Sequence, residues 1–351
     1  MHPHQYIHRR SGRVLTEVLF ADRLIHWLYG AAREKAPLLF KALTSARSSR
    51  LLSYVNFDAG HINGPAAAHR LSVNLGIDLG ECVSKRRCLV SPRHLFERQI
   101  KYWTFRPTPK DQNRVVSPAD ANVLVGSMEE TDRLFIKEKF FTFVELLGEE
   151  KINWCDTFRH GDFAAFRLTP EKYHYNHTPV SGRVVDYYTV DGDYHSCNPK
   201  AAVSMVTPYS KNKRVVTVFD TDIEGGTGIG LVAMIEVVAL MIGDIVQCYS
   251  EQRYEDPQPM APGLEVRRGQ PKSLFRPGSS VDVLLFQKGR IAFDQDLVDN
   301  RFRSDAVSRY SLGFGRTLVE TGVRVRDSIA RRKNRSDIPS ERMASGRVEE
   351  A

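Results

Sequence analysis

The sequence predicts an α+β fold in which a helical N-terminal region precedes a β-rich, mainly antiparallel catalytic domain. Two patterns support this prediction. Between residues 14 and 55, leucine and aromatic residues are interspersed with arginine and lysine, which predicts helices, and Pro37 marks a break between them. From about residue 111 onward, short β-branched and aromatic runs separated by turn residues indicate strands. We therefore predict a helical region over 1–110, able to associate with a membrane, a β-rich domain over 111–329, and a basic, mobile tail over 330–351.

Individual elements follow from local patterns. A helix is predicted through residues 95–103, and strands are predicted at 122–126, 182–188 and 214–219. The apolar run over 231–243, interrupted by Glu236, is too short to span a bilayer and is interpreted as a buried strand.

Charge and composition narrow the classes of partner. The 351 residues are 42% hydrophobic, which is enough for a large core, and carry a formal net charge of +8. A positive excess favours anionic partners such as a membrane surface. The basic clusters lack interleaved aromatic residues, so no nucleic acid partner is expected. The N-terminal helices fit an interfacial position and a position packed on the protein's own core equally well.

Cysteine usage and hydropathy indicate the compartment. The five cysteines show no paired Cys-x-x-Cys spacing, and neither a signal peptide pattern nor a run of about 18 apolar residues is found. We therefore expect a cytoplasmic protein that is soluble or peripherally attached to a membrane.

The most informative stretch surrounds Gly278 and Ser279. Here a Gly-Ser-Ser turn directly precedes an alternating strand pattern, with Val281, Val283 and Leu285 on one face. Because glycine lacks a Cβ, its backbone can strain and its carbonyl can be closely approached. A base that removed the proton of Ser279 would let its hydroxyl attack the Gly278 carbonyl and convert the peptide bond into an ester. The alternative is an ordinary hairpin turn before a buried strand.

Proton-transfer groups are found elsewhere in the chain. His174 and His177 lie three residues apart and could act in proton transfer or bind a metal, but the sequence supplies no third and fourth zinc ligand at the usual spacing, so no metal is predicted. Asp120 follows a proline turn and could orient an imidazole, although an isolated Asp in this position is commonly a turn former.

Other catalytic signatures are missing from the sequence. The glycines over 225–230 do not have G-x-G-x-x-G spacing and precede a strand pattern, which argues against a dinucleotide site. Neither a G-x-S-x-G elbow nor a Walker loop is present.

Taken in order, these segments resemble the pyruvoyl-dependent phosphatidylserine decarboxylases. Residues 117–120 resemble the P-A-D-G block of that family, and residues 136–139 its I-K-G-K block. Residues 173–182 resemble its Y-H-R-x-H-x-P-x-x-G block, residues 212–221 and 237–243 its N-E-R and V-G-A-x-x-V-G segments, and residues 275–286 its F-x-x-G-S-T-V-x-x-L-F self-cleavage site.

The resemblance implies a mechanism. Ser279 would attack Gly278, the chain would be cut between residues 278 and 279, and a covalent pyruvoyl cofactor derived from Ser279 would remain on the second chain. It further implies that His177 is the base, that Asp120 orients His177, and that His174 protonates the carbanion left by decarboxylation. The pyruvoyl ketone would form a Schiff base with the amine of phosphatidylserine and release phosphatidylethanolamine and CO2.

Some residues depart from the family pattern. Pro277, Ala121 and Tyr175 stand where the family has other residues, which leaves more than one substrate open. A soluble amino-acid decarboxylase of the tryptophan type and an unprocessed binding or scaffold relative remain alternatives. The oligomeric state also stays open, with a homo-oligomer as one option.

Overall fold

The structure, a computed structural model, describes residues 2–19, 64–128, 143–204, 208–239, 244–278, 280–315 and 317–334. The predicted α+β class is confirmed. The strands are β1 Gln5–His8, β2 Arg13–Thr16, β3 Arg114–Val116, β4 Ala121–Ser127, β5 Asp162–Leu168, β6 Tyr175–His177, β7 Gly182–Val190, β8 Arg214–Asp220, β9 Leu231–Val238, β10 Ile245–Gln247, β11 Glu265–Val266, β12 Pro271–Phe275, β13 Ser280–Phe286, β14 Ile291–Phe293, β15 Thr321–Val323 and β16 Ser328–Arg332. The helices are α1 Pro65–Asn74, α2 Lys85–Cys88, α3 Pro92–Phe96, α4 Tyr102–Phe105, α5 Phe143–Leu147, α6 Ile152–Phe158, α7 Pro199–Ser204, α8 Pro208–Lys211, α9 Gln295–Asn300 and α10 Arg309–Phe314.

A ten-stranded sheet organises the chain, in the order β11-β7-β8-β9-β13-β5-β4-β15-β1-β2. Its strands pair antiparallel except for β1 and β15, which are parallel. Two three-stranded sheets, β10-β12-β6 and β14-β16-β3, complete the β structure. The mainly antiparallel character is therefore as predicted.

Strand β13 lies near the middle of the large sheet and is buried along its whole length. On one face, Val281, Val283 and Leu285 pack with residues of α5, α6 and α10. On the other face, Leu284 and Phe286 pack with residues from both small sheets. The alternation predicted from the sequence is thus confirmed, and the fold has three layers, with the large sheet between helices and small sheets.

The predicted boundaries need correction at both ends. Residues 14–16 belong to strand β2 because they pair with β1 at the edge of the large sheet, so the helix predicted to begin at residue 14 is wrong there. Residues 20–55 of that prediction lie outside the described part of the chain, whereas α1 to α4 are helices within the predicted N-terminal region. The predicted tail begins too early, because residues 330–332 continue β16, and residues 335–351 lie outside the described part.

Two other predicted segments, 95–103 and 231–243, are among the described residues at least in part. The helix predicted over 95–103 is divided, since α3 ends at Phe96 and α4 begins at Tyr102. The buried strand predicted over 231–243 is confirmed over 231–238 by β9, and residues 240–243 lie outside the described part of the chain. Among the residues that the structure describes, no helix has the length and apolar character needed to cross a bilayer.

The N-terminal segment is held to the sheet by a buried ionic cluster. Nη2 of Arg167 in β5 donates to Glu17 (2.6 Å) and to Glu320 (2.5 Å), and His4 Nε2 lies 2.8 Å from Glu320. His4, Glu17 and Glu320 have the spacing of a metal site, but the guanidinium of Arg167 already donates to both carboxylates. Although burial alone would lower it, the charges of Glu17 and Glu320 raise the pKa of Arg167. We interpret the cluster as an ion-pair network that anchors the N terminus.

Candidate active site

The Gly278–Ser279 bond lies where the chain passes from a small sheet into the large one. Strand β12 ends at Phe275 and β13 begins at Ser280, and these strands belong to different sheets. The connection is therefore not a hairpin turn between paired strands. Gly278 has φ of 154°, a conformation that L side chains rarely adopt, which explains why glycine is required. Ser279 itself lies outside the described residues.

Sheet register brings Asp120 to the same end as the cleavage site. Strands β4 and β13 both pair antiparallel with β5, which lies between them. They therefore run in the same direction and begin at the same end of the sheet. Asp120 directly precedes β4, as Ser279 directly precedes β13. The starts of β4 and β13, which are distant in sequence, therefore lie at the same end of the sheet, on either side of β5.

His177 is completely buried at the end of β6, and both of its ring nitrogens have partners. Nδ1 lies 2.8 Å from the carbonyl oxygen of Gly269, which can only accept, so Nδ1 carries the proton. Nε2 lies 3.0 Å from the hydroxyl of Tyr173 and accepts from it in the neutral ring. Burial lowers the pKa of His177 to about 3. The ring is therefore neutral at physiological pH, with Nε2 as its proton acceptor.

A chain of tyrosines continues from His177. The Tyr173 hydroxyl lies 2.8 Å from the hydroxyl of Tyr254, whose oxygen also lies 2.8 Å from the carbonyl oxygen of Ile100. Burial raises the pKa of Tyr173 well above its ordinary value, so this hydroxyl keeps its proton. Since Tyr254 has one hydroxyl proton, it can donate to Ile100 or to Tyr173 but not to both. The arrangement can pass a proton along hydroxyl groups towards or away from Nε2.

Asp120 does not make the contact with His177 that the sequence analysis predicted. Its carboxylate accepts from Arg106 Nε (3.1 Å) and Nη2 (2.9 Å) and from the amide of Val325 (2.7 Å). Burial alone would raise the pKa of Asp120, but the charge and hydrogen bonds of Arg106 hold it below its usual value. Gly269 and Tyr173 occupy the ring nitrogens of His177 instead. Asp120 can therefore influence His177 only through its negative charge, which favours the protonated ring.

His174 lies closer to the cleavage site than His177 does, measured along the neighbouring strand β12. Its carbonyl accepts from the amide of Phe275 (3.1 Å), three residues before Gly278. Its Nδ1 donates to the carbonyl of Lys172 (2.9 Å), and its ring packs on Phe96, with ring centres 3.7 Å apart. Nε2 is buried and makes no hydrogen bond with the described residues. Burial, followed by the charge of Arg98, lowers the pKa of His174 to about 3, so Nε2 is an unoccupied acceptor.

The sequence analysis missed a buried polar cluster beneath the cleavage strand. Lys272 Nζ lies 2.6 Å from Glu236, which also accepts from Asn176 (3.1 Å) and from Ser273. Asp282 pairs directly across the sheet from Glu236, and neither of its carboxylate oxygens has a partner among the described residues. Burial and the charge of Glu236 raise the pKa of Asp282 well above its usual value, so it is neutral. The available signal was Glu236 within an apolar run together with Asp282 on the core face of β13.

Replacing Lys272 by Met is expected to destabilise the fold by about 3–5 kcal/mol, because the Glu236 carboxylate would remain buried without its cation. Denaturant unfolding of the full chain would measure this. Lys110→Met, at an exposed position, should change the free energy of unfolding by less than about 0.5 kcal/mol. Equal stabilities of the two variants would contradict a buried Lys272–Glu236 ion pair. A higher free energy of unfolding in Lys272→Met/Glu236→Gln than in Lys272→Met would support it.

Known proteins match this chain over most of its length. The family model for phosphatidylserine decarboxylase matches residues 93–309, a range that includes Asp120, His174, His177 and Ser279. A phosphatidylserine decarboxylase proenzyme of Chlamydia trachomatis is 31% identical, covering 93% of this chain and 97% of that protein. Proenzymes of the same name from Fusobacterium nucleatum and Clostridium tetani are each 26% identical, covering 84% of this chain and 91% of theirs.

The fold, the buried histidines and these matches together define an enzyme of the decarboxylase class. The chain belongs to the phosphatidylserine decarboxylase family, as the sequence blocks predicted.

Proposed function

We propose that the chain cuts itself between Gly278 and Ser279 and then converts phosphatidylserine to phosphatidylethanolamine and CO2. The observation that carries the proposal is the position of this bond, at the start of a central buried strand and at the sheet end where Asp120 also lies. The family of the chain supports the substrate, since its relatives are named for phosphatidylserine.

Self-cleavage needs only groups of the chain and water. A base takes the proton of the Ser279 hydroxyl, the oxygen bonds to the Gly278 carbonyl carbon, and the bond from that carbon to the Ser279 nitrogen breaks. Loss of the Cα proton of Ser279 then releases the Gly278 carboxylate, and water replaces the nitrogen, which leaves as ammonia, to give a terminal pyruvoyl group. We assign the first proton to Nε2 of His177, which becomes free when the Tyr173 hydroxyl turns its proton towards Tyr254, and the imidazolium then gives that proton to the departing Ser279 nitrogen. Asp120 favours the resulting imidazolium through its charge.

The residues around the new terminus fit such a group. A pyruvoyl group there would supply a ketone that condenses with an amine and withdraws the electrons released with CO2. The backbone that follows is fixed on both sides, because Ser280 pairs with Leu168 and with Val238. The buried Nε2 of His174 has no partner among the described residues, and a substrate anion beside it would raise the pKa of His174, so that this ring can hold and return a proton. We assign His174 to protonation of the carbon that loses CO2.

An exposed basic patch supports a lipid substrate. It consists of Val83, Lys85, Arg86, Arg87 and Val90, all exposed, and it contains no acidic residue. Apolar side chains beside cations fit the boundary of an anionic membrane. The patch belongs to the same helical layer as α3, whose Phe96 packs on His174. We therefore propose peripheral attachment to a membrane facing the cytoplasm, with this patch as one contact.

The function is tested by measuring CO2 release from phosphatidylserine in phosphatidylcholine vesicles and from free serine and free tryptophan. Release is expected from the lipid alone. Release from free tryptophan without vesicles would favour the amino-acid decarboxylase, and an uncleaved chain inactive on all three would favour the binding or scaffold alternative. Since each cation near an anionic surface contributes about 1 kcal/mol, Lys85→Gln/Arg86→Gln/Arg87→Gln should weaken binding to anionic vesicles by up to about 100-fold. Lys110→Gln/Arg183→Gln/Arg267→Gln removes the same charge elsewhere and serves as the control.

A further inference from the structure

A polar pocket of about 470 Å³ opens beside the histidine and tyrosine network. We call it the arginine pocket; its lining includes Tyr102, Trp103, Glu251, Arg253, Glu255 and Arg326. Its wall residue Tyr102 contacts His177 edge to face, with ring centres 4.7 Å apart. The pocket is therefore separated from the proposed base by one aromatic ring.

Arg326 in this pocket carries a positive charge that no carboxylate neutralises among the described residues. Its guanidinium lies over the ring of Tyr102, 5.0 Å from the ring centre, and Nη1 makes only a long contact, 3.4 Å, with the Tyr102 carbonyl. Its Nε is buried and has no hydrogen-bond partner in the described part of the chain. Burial lowers the pKa of Arg326, as expected for a cation without a counterion. A partly buried, unpaired guanidinium is a ready site for an oxyanion.

Backbone conformation singles out the same pocket. Three non-glycine residues of the described chain have positive φ, and two of them are Arg253 (62°) and Arg326 (71°). Such conformations persist where the surroundings impose them, and they concentrate at ligand sites. Arg253 lies over the Trp103 ring at 4.1 Å and forms no ion pair with the described residues. The fold thus holds two cations at one pocket at some conformational cost.

The remaining charges decide which oxyanion fits. Glu251 and Glu255 are exposed and belong to the same lining, so the four charged side chains sum to zero. Because these charges balance, a dianion such as inorganic phosphate gains little net attraction in the pocket and loses more hydration free energy on entering it than a monoanion does. We infer that the arginine pocket binds a phosphodiester monoanion, the group common to glycerophospholipid headgroups, with Arg326 as its main ligand. This inference rests on the proposed function only in naming a lipid as the source of the diester.

Calorimetric titration of the full chain with glycerophosphocholine and with inorganic phosphate tests the inference. Glycerophosphocholine carries the diester but has no primary amine that could react with a ketone. It is expected to bind more tightly than phosphate, and Arg326→Gln should lower the affinity for glycerophosphocholine about 10-fold or more. Arg183→Gln, at an exposed arginine that pairs with Glu265 and does not line the pocket, should leave binding unchanged. Arg253→Gln on the exposed loop should also weaken binding, which keeps the test decisive if Arg326→Gln folds poorly.

The inference is overturned if Arg326→Gln and Arg253→Gln bind glycerophosphocholine as the wild type does, or if phosphate binds more tightly. Repeating the titration with the Ser279→Ala chain separates this result from the proposed function. If the wild-type chain binds glycerophosphocholine through these arginines but neither cleaves nor decarboxylates, the pocket assignment stands and only the proposed function is refuted. A wild-type chain that cleaves itself and decarboxylates phosphatidylserine but does not bind glycerophosphocholine would refute the pocket assignment and leave the proposed function standing.

Discussion

Replacing Ser279 by alanine is expected to leave a single polypeptide of about the precursor's 39.9 kDa, whereas the wild type should yield one chain ending at Gly278 and one beginning at residue 279. Alanine has no hydroxyl to attack the Gly278 carbonyl, so no ester forms and no pyruvoyl group follows. Intact mass under denaturing conditions would also show whether the second chain begins with a pyruvoyl group or with an ordinary serine. Without that group, decarboxylation should be undetectable.

The neighbouring serine provides a matched control. Ser280 is buried at the start of β13 and would not be adjacent to the scissile carbonyl. Ser280→Ala should therefore still be cut after Gly278. Cleavage of Ser279→Ala, or loss of cleavage only in Ser280→Ala, would show that the attacking hydroxyl does not belong to Ser279.

The elements of this fold that could be predicted are those encoded by local pattern. The alternation along β13 and the apolar run of β9 gave correct strands because side chains on a strand alternate between faces whatever its neighbours are. Residues 14–16 were missed because they form a short edge strand whose pairing with β1 is a tertiary feature. Its composition resembles that of the following segment, so pattern alone could not separate them.

The site was predictable in its residues but not in its contacts. Asp120, His174 and His177 came from ordered sequence blocks, yet the partners of His177 are Gly269, distant in sequence, and Tyr173, which the blocks contained without a role. Which acceptor faces a buried ring depends on how β6 and β12 pair, and no local pattern specifies that. The same holds for Lys272, whose burial against Glu236 depends on the small sheet packing over the large one.

Replacing His177 by alanine is expected to slow self-cleavage by about 100-fold or more, because a positioned general base contributes about 10²–10⁴ in rate. The measurement is the fraction of cleaved chain against time after synthesis. His174→Ala is the matched control, since it removes an equally buried imidazole and should still cleave while losing decarboxylation. Tyr173→Phe keeps His177 and removes only its hydroxyl partner, so it should slow cleavage less than His177→Ala does.

The pH dependence tests the same assignment independently. With its pKa held at about 3 in the folded chain, His177 is already a free base throughout pH 5.5–8, and the cleavage rate should show no inflection from it near pH 6.5. Acid acts on the fold instead: an unfolded chain binds protons at these histidines below about pH 6.5, so stability falls as the pH drops towards 3. Normal cleavage by His177→Ala would show that another group is the base. Suppose instead that the wild-type cleavage rate falls as the pH is lowered through 6.5 while the chain stays folded. The base would then titrate as an exposed histidine does, which contradicts its assignment to the buried His177.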